Sequence, residues 1–471
     1  MLRLQHHVIA KGKGLSALLR RSSQVRLLVL LALVLSGSVG DARAQVSDTV
    51  RLTSDEAVAR ALTSAPEVIR GRLRIARARA ERLRQGAFFP ALPELEYARS
   101  TDAPFAGAGE GSWLTQEIEL GGQSGLRRRA SDAAVAQTES EARGIELAAR
   151  ADVRRAFATL VAAEDRLRLA DSLLAFAVRL DTIAGRLLSV GEISELDRNA
   201  LHIERTSEQI ERTGAVSALE QARSGLSLLL GLSPATTIIP VRDELLTAPP
   251  SVAATLANVS AVQAAIAANH DTILQHRPEW AALERSLERL RAERSLGARQ
   301  LIPTIRLGLS LQGDRLILGK EDVQGNDVVR NGFDGIDKSD RLLGFRLGMA
   351  VPLPFSGLYN TGEGDVAVAD AEIAIVEAER TILAANIRND INQSAIRLRS
   401  ASDAIQLYQQ DISPLIGRNL ELLERGYTAG ELSATQVLTQ QQQLVRIQEV
   451  RIRARQEYAE AFADFERAIA Q

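Results

Sequence analysis

Two hydrophobic periods alternate along this chain. From about Leu126 to Leu188 the pattern is helical, and Leu169, Leu173, Phe176, Leu180, Ile183 and Leu187 recur at steps of four and three. Leu398, Ala401, Ile405, Tyr408, Ile412 and Leu415 repeat those steps later. Both are seams of a heptad coiled coil. A helix of this length extends on the order of 95 Å at 1.5 Å per residue, so the pattern predicts long antiparallel helices. Ser413-Pro414 falls within the second seam and predicts a kink there. The other period is two. Thr304 to Gln312 and Leu343 to Val351 alternate strictly, with apolar residues on one face and Arg306, Arg346, glycine, serine and glutamine on the other. A weaker strand pair, about 94–100 and 112–120, lies earlier, with its glutamates on the wet face.

The order of elements occurs twice. Pro66-Glu67 opens a helix that ends at Phe89-Pro90, and Pro278-Glu279 opens one that ends at Ile302-Pro303. Proline in the first turn forfeits no helical hydrogen bond, and glutamate there favours the positive end of the helix dipole. Further on, Gly191-Glu192-Ile193-Ser194 and Gly430-Glu431-Leu432-Ser433 each follow a long helical run. Glycine closes one helix in the left-handed conformation and serine caps the next. Each tetrapeptide therefore predicts a tight joint between antiparallel helices. The first copy covers 45–232, with helices at 126–190 and 194–231. The second covers 276–471, with strands at 304–312 and 342–351 and helices at 360–426 and 432–470. A linker, 233–275, carries Pro234, Pro240, Pro249 and Pro250, with an extended run from Thr236 to Val241.

The first 44 residues read as a cleaved export signal: scattered basic residues, the apolar run Leu27 to Leu35, then Ala42-Arg43-Ala44. That run is too short for a permanent membrane helix, and no other segment is long enough, so insertion in a membrane has to use strands. Removing the leader leaves 50 basic and 58 acidic residues, a net charge of −8 that argues against nucleic acid as a partner. Cysteine is absent, which excludes disulfides, thiolate metal sites and a lipidated N-terminal cysteine. His202, His270 and His276 are the only histidines of the mature chain and have no metal-ligand spacing. They read as surface or packing residues. No phosphate loop, dinucleotide fingerprint or nucleophile elbow is present, so neither catalysis nor a cofactor is expected.

Strands of about nine residues suit a tilted crossing of a bilayer, with the apolar face toward lipid and Arg306 and Arg346 on a lumen wall. The polar, Gly/Asp-rich stretch from Gly313 to Arg341 suits an external loop. Four strands cannot close a barrel, which needs at least about eight. Three chains would supply twelve, and six long helix pairs beneath would continue the pore as a tube. The fold class is therefore mainly α with β.

These marks in order resemble the TolC family of outer-membrane efflux proteins, including its heavy-metal efflux branch. They are Leu52-Thr53 with Glu56-Ala57, Pro66-Glu67, Phe89-Pro90, the Gln116 to Gly122 junction, Gly191 to Ser194, Leu230-Gly231, Arg277-Pro278-Glu279, Val351 to Pro354, and Tyr427 to Ser433. The resemblance implies a homotrimer with one barrel in the outer membrane and one helical tunnel across the periplasm. It also implies a periplasmic adaptor and an inner-membrane pump, of the RND type, as partners. The helix joints of such proteins lie at the periplasmic end, where adaptors dock. By position these are Gly191, Glu192 and Ser194, and Gly430, Glu431 and Ser433. The corresponding gate positions are Asp197 in the first copy and Gln436 and Thr439 in the second, where some members carry aspartate; neutral side chains here weaken the case for cation binding at that ring. Plainer readings stand beside these: Asp197 as a carboxylate near a helix N-terminus, and Glu192 and Glu431 as solvated turn residues. Two rival functions also stand, a barrel-anchored trimeric coiled-coil surface protein and a soluble periplasmic scaffold.

Overall fold

The computed structural model of the chain describes residues 49–89, 91–99, 108–242, 259–261, 264, 272–315, 341–352, 361–409 and 413–470. They fall into two compact units. Arg51–Pro234 with Ile238–Gln471 form the large one, and Thr49, Val50 and Ala235–Thr237 are the described part of the other. The expected leader (1–44), most of the connection after Gly313, and linker residues Pro249 and Pro250 lie outside the described residues.

In chain order the elements are β1 (Thr49–Leu52), α1 (Ser54–Ser64), α2 (Pro66–Gln85), β2 (Glu94–Arg99), β3 (Ala108–Glu119), α3 (Gln123–Ser189), α4 (Glu195–Leu229), β4 (Thr237–Pro240), α5 (Thr272–His276), α6 (Pro278–Ala298), β5 (Thr304–Arg315), β6 (Arg341–Ala350), α7 (Glu363–Leu407), α8 (Ser413–Thr428) and α9 (Ala434–Ala468). Local chemistry sets the helix starts. Thr53 and Glu56 cap α1 reciprocally, with Thr53 N–H donating to Glu56 Oε2 at 2.8 Å and Glu56 N–H to Thr53 Oγ1 at 3.3 Å. Pro66 and Pro278 occupy the first positions of α2 and α6. Among the described residues no helix is long and apolar enough to cross a membrane.

The 67 residues of α3 give a helix about 100 Å long. Around its N-terminal half the helices lie side by side in the order α2, α3, α6, α7, tied by charged and polar pairs. Arg79 meets Glu139 of α3 at 2.8 Å, Arg289 of α6 meets Gln137 at 3.4 Å, and Arg294 meets Asp370 of α7 at 2.5 Å. The two exposed ion pairs, Arg79 with Glu139 and Arg294 with Asp370, contribute about 0–1 kcal/mol each. The stronger term is apolar: Ile387, Ile391 and Leu398 of α7 pack with Tyr458 and Phe465 of α9, each burial worth roughly 1.5–3 kcal/mol. Arg277 is buried against the end of α9, where its guanidinium donates to the Arg467 and Ala468 carbonyls at 2.6 and 3.1 Å. A cation at a helix C-terminus satisfies carbonyls that have no helical partner.

The four-stranded sheet has the order β2-β3-β5-β6 and is antiparallel throughout. Leu114 pairs with Leu309 and Leu309 with Phe345; the neighbouring row is Glu94, Thr115, Gly308 and Arg346. Alternation therefore puts Leu95, Tyr97, Leu114, Leu309, Leu311, Leu343, Phe345, Leu347 and Met349 on one face, all exposed. Glu94, Glu96, Glu117, Arg306, Ser310 and Arg346 share the other.

Two boundaries differ from the sequence reading. β3 begins at Ala108 and β5 runs to Arg315, beyond the expected 112 and 312. Backbone pairing continues through Glu110 with Gly313 to Ala108 with Arg315, and that ladder needs no apolar alternation. Of the expected helix 360–426 the described parts are α7, ending at Leu407, and α8, from Ser413 on; residues 410–412, beside the kink expected at Pro414, lie outside the described residues.

Candidate functional site at the ends of the long hairpins

Helix α3 closes at Gly191, with φ of +80°, and α8 at Gly430, with φ of +73°. Both ends make the same two reverse bonds. Gly191 and Glu192 N–H donate to the Leu188 and Leu187 carbonyls at 3.0 and 2.9 Å, and Gly430 and Glu431 N–H to the Tyr427 and Gly426 carbonyls at 3.1 and 2.9 Å. This is the Schellman closure, which requires a left-handed residue at the glycine. Ser194 then caps α4, its Oγ accepting from Asp197 N–H at 3.1 Å and its hydroxyl lying 2.6 Å from Asp197 Oδ2. Ser433 caps α9 in a full capping box, accepting from Gln436 N–H at 3.3 Å and donating its own N–H to Gln436 Oε1 at 2.9 Å. Asp197 and Gln436, singled out above as gate positions, are thus equivalent third residues of two helices and are engaged in capping. Thr439 returns its hydroxyl to the Thr435 carbonyl at 2.8 Å.

Between the two turns lies a shared apolar cluster. Phe176, Leu180 and Ala184 of α3, Leu201 of α4, Leu423 and Tyr427 of α8, and Ala434, Val437 and Leu444 of α9 form it, with Ile193 and Leu432 of the turns packed on its edge. It brings the two Gly-Glu-x-Ser joints to one end of the helix assembly. The Tyr427 hydroxyl is buried there without a partner; burial, with Asp197 nearby, raises its pKa.

Buried polar groups break the cluster at two places. Asp181 of α3 is 7% exposed and faces Arg205 at 3.0 Å, His202 Nδ1 at 3.6 Å and Arg198 at 3.7 Å, all on α4. Burial opposes its charge, but the Arg205 hydrogen bond and the neighbouring Arg198 and His202 outweigh that and hold its pKa below the usual carboxylate range. Gln441 of α9 is fully buried and donates its amide N–H to Glu208 Oε1 at 3.2 Å and Glu204 Oε1 at 3.4 Å on α4. Burial, reinforced by the charges of Glu204 and Glu211, pushes Glu208 up to about 7. Burial also raises Glu204.

At the other end of the long helices, Arg306 and Arg346 lie on the polar face of the sheet with Glu94, Glu96 and Glu117. Glu119 bonds Arg127 of α3 through both carboxylate oxygens, at 2.5 and 2.6 Å, fixing the strand-to-helix junction. Among the described residues no group of three or more histidine, aspartate or glutamate side chains is placed to hold a metal ion.

The architecture of long hairpins below a four-stranded antiparallel sheet is shared with solved outer-membrane channels. The chain resembles the CmeC outer membrane channel of Campylobacter jejuni with a TM-score of 0.69, at 14% identity, over 88% of this chain and 85% of that one. VceC of Vibrio cholerae gives 0.68 at 15% identity, covering 88% and 96%. In sequence, residues 269–471 match the family described as outer membrane efflux protein. The chain is similar to the cobalt-zinc-cadmium resistance protein CzcC of Cupriavidus metallidurans, 24% identical over 332 residues, 69% of each chain.

Sequence reasoning found the two joints and missed what they enclose. Asp181, Arg198, Arg205, Glu204, Glu208 and Gln441 were not singled out, and His202 was read as a surface or packing residue; it is half exposed and turned toward Asp181. One signal was available. Shifting by the separation of the two joint glycines sets Asp181, Arg198, His202 and Arg205 against Leu420, Val437, Gln441 and Leu444. A charged set opposed to a largely apolar one marks where the copies diverge.

Proposed function

We propose that three copies of this outer-membrane efflux channel component close one twelve-stranded barrel and one periplasmic tunnel. The assembly is a passive exit duct for cargo delivered by a periplasmic adaptor and an inner-membrane pump of the RND type. The observation that carries the reading is a coincidence of open edges. β2, which follows α2, and β6, which precedes α7, are the two edges of the sheet, while α2 and α7 are the two ends of the helix row. Both helices carry exposed apolar stripes: Ile69, Leu73 and Leu83 on α2, and Val368, Ile375, Ile382 and Ile396 on α7. Their spacing suits coiled-coil packing. A neighbouring copy that pairs its β2 with this β6 would lay its α2 along this α7, and such a head-to-tail contact repeats until a ring closes. The exposed apolar sheet face suits lipid, and Arg306 and Arg346 suit a wet lumen. The joints at Gly191, Glu192 and Ser194 and at Gly430, Glu431 and Ser433 would then form the adaptor-facing tip, with Asp197, Gln436 and Thr439 at its constriction.

The test is mass and conductance of the full chain in detergent and in planar bilayers. We expect a trimer with heat-modifiable mobility and a stable pore; Ile375→Arg with Ile382→Arg abolishes both. A monomer without conductance overturns the reading. The name of the relative makes cobalt, zinc and cadmium the first cargo to assay, as growth sensitivity of a strain lacking the protein.

A further inference from the structure

The contact between α4 and α9 at Glu208 and Gln441 is half made. The Gln441 amide N–H donates toward Glu208 and Glu204 at 3.2 and 3.4 Å, while its carbonyl oxygen Oε1 is buried with no partner. Glu208 is itself 9% exposed. An ionised carboxylate has no hydrogen to offer that oxygen, whereas a protonated one has a single O–H donor beside its carbonyl acceptor. A buried acceptor left unsatisfied costs about 1–3 kcal/mol, and two carboxylates one helical turn apart repel one another when both are charged.

We propose that Glu208 is a proton-binding site that clasps α4 to α9: protonated, its O–H donates to Gln441 Oε1 while the Gln441 amide N–H donates to Glu208 Oε1. The pair then has the two parallel bonds of a carboxylic acid with a primary amide. Loss of the proton removes one bond, restores the orphaned oxygen and places a second negative charge beside Glu204, loosening the seam between the two hairpins.

The surroundings favour the neutral acid. On α4 the charges acting on Glu208 are those of Glu204 and Glu211, both negative. From α9 it meets Gln441, which is flanked by apolar Val437 and Leu444. The charges nearby on α3 and α8 are already paired: Asp181 with Arg205 and Arg198, Asp171 with Arg212 at 2.6 Å, and Arg179 with Glu424 at 3.4 Å. Burial and those two glutamates push Glu208 up to about 7, so the clasp is intact on the acid side of neutrality and lost on the alkaline side. It stands on the helix packing alone and is independent of the channel reading.

Infrared difference spectroscopy of the full chain in detergent, between about pH 5.5 and 8.5, reads the carboxylic-acid C=O stretch directly. The wild type should lose such a band with a midpoint near 7. Glu208→Gln should lack it at every pH. Glu204→Gln should keep it with the midpoint moved to more acid pH, and Gln441→Leu should keep a titrating band displaced in frequency by loss of the amide partner. No titrating band in the wild type, its survival in Glu208→Gln, its loss in Glu204→Gln, or an unmoved band in Gln441→Leu overturns the proposal.

Discussion

The ends of the two helix pairs, α3 with α4 and α8 with α9, share one backbone device and bury different chemistry beneath it. Both close on a left-handed glycine with the same reverse bonds and restart on a serine cap. Under the first joint lies Asp181 with three basic partners; the second joint sets Val437 and Leu444 at the places of Arg198 and Arg205. Duplicated elements thus keep what the backbone demands and diverge where side chains alone decide.

Substitutions that carry one joint's chemistry into the other test this contrast, the largest effect coming first. Val437 is fully buried among apolar side chains, so Val437→Asp should cost about 3–5 kcal/mol, the penalty of an uncompensated buried charge, read as a fall in the denaturant midpoint. The reverse change, Asp181→Leu, should cost less, roughly 1–3 kcal/mol, because its arginine partners are partly exposed and can turn to water. It should also remove an acid-side dependence. The depressed pKa of Asp181 contributes stability that is present above its ordinary value of 3.8 and lost as pH falls through the lower folded value. Acid unfolding of Asp181→Leu should therefore lack that slope.

Gly191→Ala and Gly430→Ala probe the shared device. No neighbouring atom lies within 4 Å of an added Cβ at either position, so only the positive φ is strained, at about 1–2 kcal/mol each, and the melting temperatures should fall equally. Unequal losses would sink the view that the two joints are one backbone motif. Ser194→Ala and Ser433→Ala should each cost about 1 kcal/mol. Thr439→Ala, which removes only an exposed return bond to Thr435, should stay within about 0.5 kcal/mol of wild type.

Much of the fold was legible because it rests on local rules. Period-two alternation located the strands, heptad steps the long helices, and Gly-Glu-x-Ser both joints. What escaped depends on tertiary placement. A carboxylate in a long charged helix is usually solvated, so nothing in the residues around Asp181 announces that it is buried, and Glu208 looks no different from Glu204 or Glu211 until Gln441 is seen opposite. Asp197 and Gln436 were visible as positions after a joint; that both are capping residues follows only from their bonds to Ser194 and Ser433.

The seam along α3 has a bearing on how such a protein changes size. Leu173, Leu180 and Leu187 repeat at sevens and so lie on one face of the helix, while each residue added to a helix turns everything beyond it by about 100°. Inserting one or two residues would swing the seam to the outside; inserting seven nearly restores it. Lengthening is therefore tolerated in steps of roughly 10 Å, and only when the antiparallel partner grows by the same step. The span from sheet to joint behaves as a graduated rod, adjustable only in whole heptads.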